Sequence, residues 1–233
     1  MLLSSDDRER IQQAVREAEV KTRGEIVCVV AEEASDYSEV PLIWAAAIAL
    51  AAPSIPLTFM SLIITVRQVF QGWEATEWVS AQSLVQGMAM LATMQFGLFV
   101  AVTLLAFIPG VRRFLTPGLL KHGYVRQRAF EQFVGKGLTE TNDRAGVLIY
   151  ASLQDRCAEL IADKGIDAKV EPGAWKKIVA KLVGEIKAGR SADGFVFAIR
   201  DCGDHLARHF PAQTPNPNEL PDRVTELPHR LPT

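Results

Sequence analysis

Residues Val40–Val66 read VPLIWAAAIALAAPSIPLTFMSLIITV and contain no Asp, Glu, Lys or Arg. A second uncharged stretch, Trp78–Val111, follows a short polar loop and reads WVSAQSLVQGMAMLATMQFGLFVAVTLLAFIPGV. A helix needs about 20 apolar residues to cross the hydrocarbon core of a bilayer, so each stretch is long enough to do so. Outward from this pair, charged residues crowd into Ser4–Glu39 on one side and Arg112–Arg208 on the other, alternating with apolar positions as in water-exposed elements. The spacing predicts a transmembrane hairpin, with helices at about 41–66 and 81–110, set inside a folded domain.

The 233-residue chain has a net charge of −2, which argues against a nucleic-acid binder held by a general basic field. Cys28, Cys157 and Cys202 are odd in number, far apart and without CxxC spacing, so reduced thiols fit better than a disulfide framework. Met1–Arg10 offers neither the basic start nor the apolar core of a signal peptide. Lys21 and Arg23 precede the first apolar stretch and Arg112, Arg113, Lys121, Arg126 and Arg128 follow the second, against Arg67 alone in the connecting loop. Basic residues favour the cytoplasmic side, so an integral membrane protein with two spans and both termini cytoplasmic is expected. Trp44, Trp73 and Trp78 stand near the boundaries, where interfacial aromatics belong.

Pro53 and Pro56 each remove a backbone hydrogen bond from the first span, so a bent or broken helix is expected there. Ala89, Thr93, Gly97 and Ala101 form a small-residue stripe on the second, expected to pack on the Ala45 and Ala49 face of the first. With no ionisable side chain inside either span, the pattern favours an anchor over a transport pathway.

In the flanking parts, Asp6 and Glu9 suggest a capping box for a helix burying Ile11, Ala14, Val15 and Ala18. A strand follows at Glu25–Ala31. After the spans comes a helix expected to turn Val125, Phe130, Phe133 and Val134 inward, ending near Gly135 and Gly137. Ala145–Ser152 reads as a strand, Asp155-Arg156 as a turn, and Cys157–Ala162 as a third strand antiparallel to the second, because the link is too short for a crossover. Trp175, Ile178, Val179, Leu182, Val183 and Ile186 mark one helix, stopped by Gly189, and Ala192–His209 another.

One strand and one helix before the hairpin cannot bury a core alone, and an even number of crossings returns the chain to the side where the later strands lie. The expected fold is therefore α/β: a small mixed sheet of three to four strands flanked by helices and interrupted by a two-helix transmembrane hairpin. Residues 1–39 give its first helix and strand, 40–111 the hairpin, 112–210 the remainder, and the Pro-rich tail 211–233 is expected to be disordered.

The segments Thr22-Arg23-Gly24-Glu25-Ile26, Asn142-Asp143-Arg144-Ala145-Gly146-Val147-Leu148-Ile149, the Asp155-Arg156 turn, Lys164-Gly165-Ile166 and Ala188-Gly189-Arg190 occur in an order that resembles the TPM-domain family, over residues 5–33 and 121 to about 209. The resemblance implies a compact α/β domain, membrane-associated in many members, with phosphatase activity in some and accessory roles in others, and in some a divalent cation (Ca or Mg) on acidic loop residues. Carried over position by position, Glu25 matches the glutamate of the first strand, Asp143 the acid before the second, and Asp155 and Arg156 the turn after it. Only one glycine of the family's G-x-G is kept, at Gly165, and Asp167 and Glu171 match the acidic stretch loosely.

A phosphatase without a cysteine nucleophile needs clustered carboxylates and a cation for the phosphoryl oxygens. The expected catalytic set is thus Asp143, Asp155 and Arg156, and the expected metal set Asp143, Asp155 and Asp167, if these converge at one sheet edge. Cys202, His205 and His209 share a helix face, but no fourth zinc ligand is near them and histidines suit a helix C-terminus. Neither GxGxxG nor GxxxxGK[ST] occurs. Two functions stand: a domain bound to the lipid bilayer that engages membrane-protein clients, or a metal-assisted phosphatase acting near the membrane.

Overall fold

The computed structural model describes residues 2–35, 37, 39–71, 81–141, 143–212 and 219–228. They form two compact units, one of residues 1–36 with 118–233 and one of residues 37–117. Trp73 and Trp78, two of the expected interfacial anchors, lie outside the described residues.

The first unit is a sheet of four strands in the order β3-β2-β1-β4, where β1 is Ile26–Ala31, β2 Val147–Ser152, β3 Cys157–Ala162 and β4 Thr225–Leu227. β1 and β2 are parallel along their whole length, from Ile26 opposite Val147 to Ala31 opposite Ser152, and β3 runs antiparallel to β2. Every residue of β1 and β2 is buried, as expected of central strands covered on both faces. Alternate residues supply two cores. Ile26, Cys28, Val30, Val147, Ile149 and Ala151 pack with α1 (Ser5–Glu19), α7 (Ala174–Lys187) and α8 (Ser191–His209); Val27, Val29, Leu148 and Tyr150 pack with α5 (Gly118–Gly135). The result is three layers with the sheet in the middle.

Local details depart from the sequence pattern in three places. α1 is capped by Ser4, two residues before Asp6: the Ser4 hydroxyl oxygen accepts the Asp7 N–H at 3.0 Å and its O–H donates to the Asp7 carboxylate. In α5 the inward residues are Val125, Ala129 and Phe133, while Phe130 and Val134 are exposed. The tail 211–233 is not wholly unstructured, since β4 pairs in parallel with Val29–Ala31 of β1. The Glu32 N–H donates to the Leu227 carbonyl and Lys136 Nζ to Thr225 Oγ1 at 2.7 Å, so ordered partners hold three residues that have no intrinsic strand signal.

The second unit holds α2 (Glu39–Gln71), α3 (Ala81–Ala106) and α4 (Pro109–Leu115), with α2 and α3 packed on each other. Within them, 39–59 and 85–106, of 21 and 22 residues, are long and apolar enough to cross a membrane. At 1.5 Å per residue each covers about 30 Å, the thickness of the hydrocarbon core. α2 runs helical through Pro53 and Pro56 without a break; Ser54 donates its hydroxyl to the Leu50 carbonyl and Thr58 to that of Ser54. Ala45 and Ala49 are buried as expected, but Ala89, Thr93, Gly97 and Ala101 are all exposed. The less exposed side of α3 carries Leu91, Gln95, Leu98, Phe99 and Val102, larger side chains that fill the space beside a helix, and ends at the buried Ala106. α3 stops at Ala106, and Pro109 restarts the chain as the first residue of α4, where its missing N–H removes nothing.

Candidate functional site

Asp143 precedes β2 and Asp155 follows it, so the two lie at opposite ends of a six-residue strand, about 20 Å apart. At the carboxyl ends of β1 and β2, Asp155 is buried and its Oδ2 accepts the Ser152 hydroxyl at 2.6 Å and the Ala34 N–H at 2.9 Å. Its Oδ1 is buried without a hydrogen-bond partner. Arg128 of α5 donates Nε to the Ala34 carbonyl at 3.2 Å and Nη1 to Glu131 at 2.9 Å, and Gln154 donates to Glu32 at 2.6 Å. These contacts tie the loop after β1 to the β2–β3 turn. Burial pushes the Tyr150 phenol up to about 12 and raises the Cys157 thiol, so both stay protonated here at neutral pH. Arg156 is exposed and adopts a φ of 53°, the left-handed conformation a tight turn imposes.

At the amino end of β2, Asp143 forms an ion pair with Arg23 at 2.9 Å. Asp163 caps α6 (Lys164–Asp167) by accepting the Lys164 N–H at 2.7 Å, and Asp167 accepts the Trp175 indole N–H at 3.0 Å. The single glycine kept from the family pattern has a steric reason: a Cβ on Gly165 would sit 2.6 Å from the carbonyl oxygens of both Asp143 and Arg144. The structure thus brings Asp143 and Asp167 to one end and Asp155 and Arg156 to the other. A divalent cation shared by Asp143, Asp155 and Asp167 does not fit, and among the described residues no group of three acidic, His or Cys side chains is placed to hold one. Cys202 is fully buried and His205 stands edge-on to Trp175 at 5.5 Å, so they do not form a ligand set with His209.

A different acidic group emerges at the amino end of β1. Glu19 Oε1 accepts the Ile26 N–H at 2.8 Å, and Glu25 Oε1 accepts the Glu219 N–H at 3.2 Å from the tail. Burial raises Glu19 to about 8, with Glu25 and Asp222 adding to the rise, and burial raises Glu25 as well. Sequence spacing gives no sign of this group, because Asp222 and Glu219 reach it only through the fold of the tail.

A three-layer α/β domain, with a hairpin of membrane-spanning length after its first strand and carboxylates divided between the two ends of its sheet, is the class these observations define. Residues 114–205 match the family model described as TPM domain, so a TPM domain is present in this part of the chain. No curated protein matches. Among solved structures, the chain is similar to the NMR structure of the BA42 protein from the psychrophilic bacterium Bizionia argentinensis. The TM-score is 0.54 over 97% of this chain and 96% of that one, at 18% identity, a likeness of fold alone.

Proposed function

We propose that the protein is a membrane-anchored cytosolic TPM-like domain that serves as a binding or accessory module for membrane-protein clients. The observation that carries this reading is the separation of Asp143 from Asp155 by the length of β2, each engaged by its own partners. A binding module needs no convergent catalytic set, and tethering to the bilayer raises its effective concentration at clients in the same plane. Both termini are cytoplasmic in this reading, with the loop between α2 and α3 outside. Reporter fusions test it: a cytoplasmic signal is expected at both ends, and an external Thr233 would overturn the topology.

The alternative is a metal-assisted phosphatase near the membrane. One observation favours it, the buried Asp155 Oδ1 that lacks a partner at the carboxyl ends of two parallel strands, where α/β sheets bind ligands. Full-length protein in lipid nanodiscs, given an aryl phosphate with Mg or Ca, is expected to show no turnover above background. Metal-dependent turnover that disappears in Asp155→Asn would put the enzyme reading first.

A further inference from the structure

α5 carries two apolar faces. One, Val125, Ala129 and Phe133, is buried against the sheet. The other is bare: Leu119 is 88% exposed, Phe130 59%, Val134 50% and Leu120 44%. At about 100° per residue, Leu119, Phe130 and Val134 fall within about 60° of one another, with Leu120 about 40° beyond. Among the described residues of the α/β unit, the other large apolar side chains left exposed are Val20 and Phe197, and the Lys181 ammonium lies over the Phe197 ring. Exposed apolar surface on this unit is therefore gathered on one face of one helix, a disposition that marks an interaction surface.

What covers it follows from the chain. Immediately before α5, Leu104, Leu105, Phe107, Ile108 and Phe114 are also exposed. The apolar series thus runs on from the membrane-length helix α3 into Leu119 and Leu120. Eleven residues, 107–117, join the end of α3 to the start of α5. Arg126 is exposed and flanks the bare face beside Leu119, where its charge also acts on Glu159 of β3, while Arg128 and Glu131 neutralise each other beyond the Leu120 edge. A bare apolar face with an exposed cation beside it, tethered to a bilayer, suits the headgroup boundary, where apolar side chains enter the acyl layer and an Arg reaches lipid phosphate.

We propose that the outer face of α5, formed by Leu119, Leu120, Phe130 and Val134, lies in the surface of the bilayer with Arg126 at the lipid phosphates. This rests on the reading of residues 40–111 as a membrane hairpin. The α/β unit is then held flat on the cytoplasmic leaflet, leaving its remaining faces for clients.

The test uses the full chain reconstituted in phosphatidylcholine–phosphatidylglycerol vesicles, with spin labels placed singly at Leu119→Cys and Phe130→Cys. Lys176→Cys, on the exposed face of α7, is the water reference and Phe96→Cys, exposed on α3, the hairpin reference. The three native thiols are buried, so labelling is directed to the introduced ones. The ratio of oxygen to nickel-chelate accessibility at positions 119 and 130 is expected to be several-fold above that at 176 and below that at 96. Nickel access equal to that at 176, with oxygen-rich surroundings at 96, would overturn the proposal while leaving the hairpin intact. Shielding of 119 and 130 from both reagents would mean that protein covers the face, and would also overturn it. Nickel access at 96 would remove the hairpin reading and the proposal together.

Discussion

At the level of single residues, Glu19 couples stability to pH. Its carboxyl titrates near 8 in the folded protein because burial disfavours the charge, against 4.5 as its ordinary value. The unfolded chain therefore releases this proton first as pH rises, and between about 4.5 and 8 it binds fewer protons than the folded state. Stability falls with rising pH wherever that holds, so the contribution is intact below the lower value and lost through the upper. Glu19→Gln keeps an oxygen for the Ile26 N–H and removes the titration. Thermal melts from pH 5 to 9 in detergent are expected to show a shallower decline for the variant, with higher stability at the alkaline end. Asp155 makes the opposite kind of contribution, as an acceptor fixed between Ser152 and Ala34. Asp155→Ala leaves a buried hydroxyl and a buried N–H unsatisfied and is expected to cost about 3 kcal/mol in denaturant titrations. Asp155→Asn, which retains an acceptor, is expected to cost less.

At the level of elements, Gly165 allows α6 to lie against the 143–144 turn. Gly165→Ala drives a Cβ into the backbone of the 143–144 turn and is expected to destabilise by about 2 kcal/mol or more, as overpacking does. β4 is the element most dependent on its neighbours. Truncation before Val224 removes the Leu227 carbonyl that accepts the Glu32 N–H, and hydrogen exchange at Glu32 is expected to accelerate about tenfold or more, as in local opening. The sequence announces β1 and β2 as nearly continuous apolar runs, and β3 as the short, mostly apolar segment that follows the Asp155-Arg156 turn. It does not announce β4, three residues in a proline-rich segment whose order comes from Lys136, Glu32 and the β1 edge. Nor does it say which apolar face of α5 meets the sheet, since Phe130 and Val134 form a helical pattern as good as that of Ala129 and Phe133. The separation of Asp143 from Asp155 was legible in principle: one precedes and the other follows a single strand, so they cannot share an end. The partners of Asp155 were not legible, because Ala34 and Arg128 lie far from it in sequence.

At the level of the whole molecule, the parallel pairing of β1 with β2 explains how an insertion of this size is tolerated. Parallel neighbours require a long crossover, and α5 alone already supplies one, packing Val125, Ala129 and Phe133 on the sheet. The hairpin is thus additional to a connection the sheet would need anyway, and both cores of the α/β unit are built from residues 1–36 and 118–233. Replacing residues 37–117 by a flexible Gly/Ser linker of about 12 residues, which spans roughly 20 Å on average, is expected to leave a unit that folds on its own. A cooperative thermal transition and a structured near-ultraviolet dichroism spectrum would establish this, whereas a non-cooperative melt would show that the sheet depends on the hairpin. The same excised unit still presents Leu119, Phe130 and Val134, so it is expected to co-sediment with anionic vesicles, and Phe130→Asp to weaken that association while leaving the melt unchanged within about 0.5 kcal/mol, the usual effect of an exposed substitution.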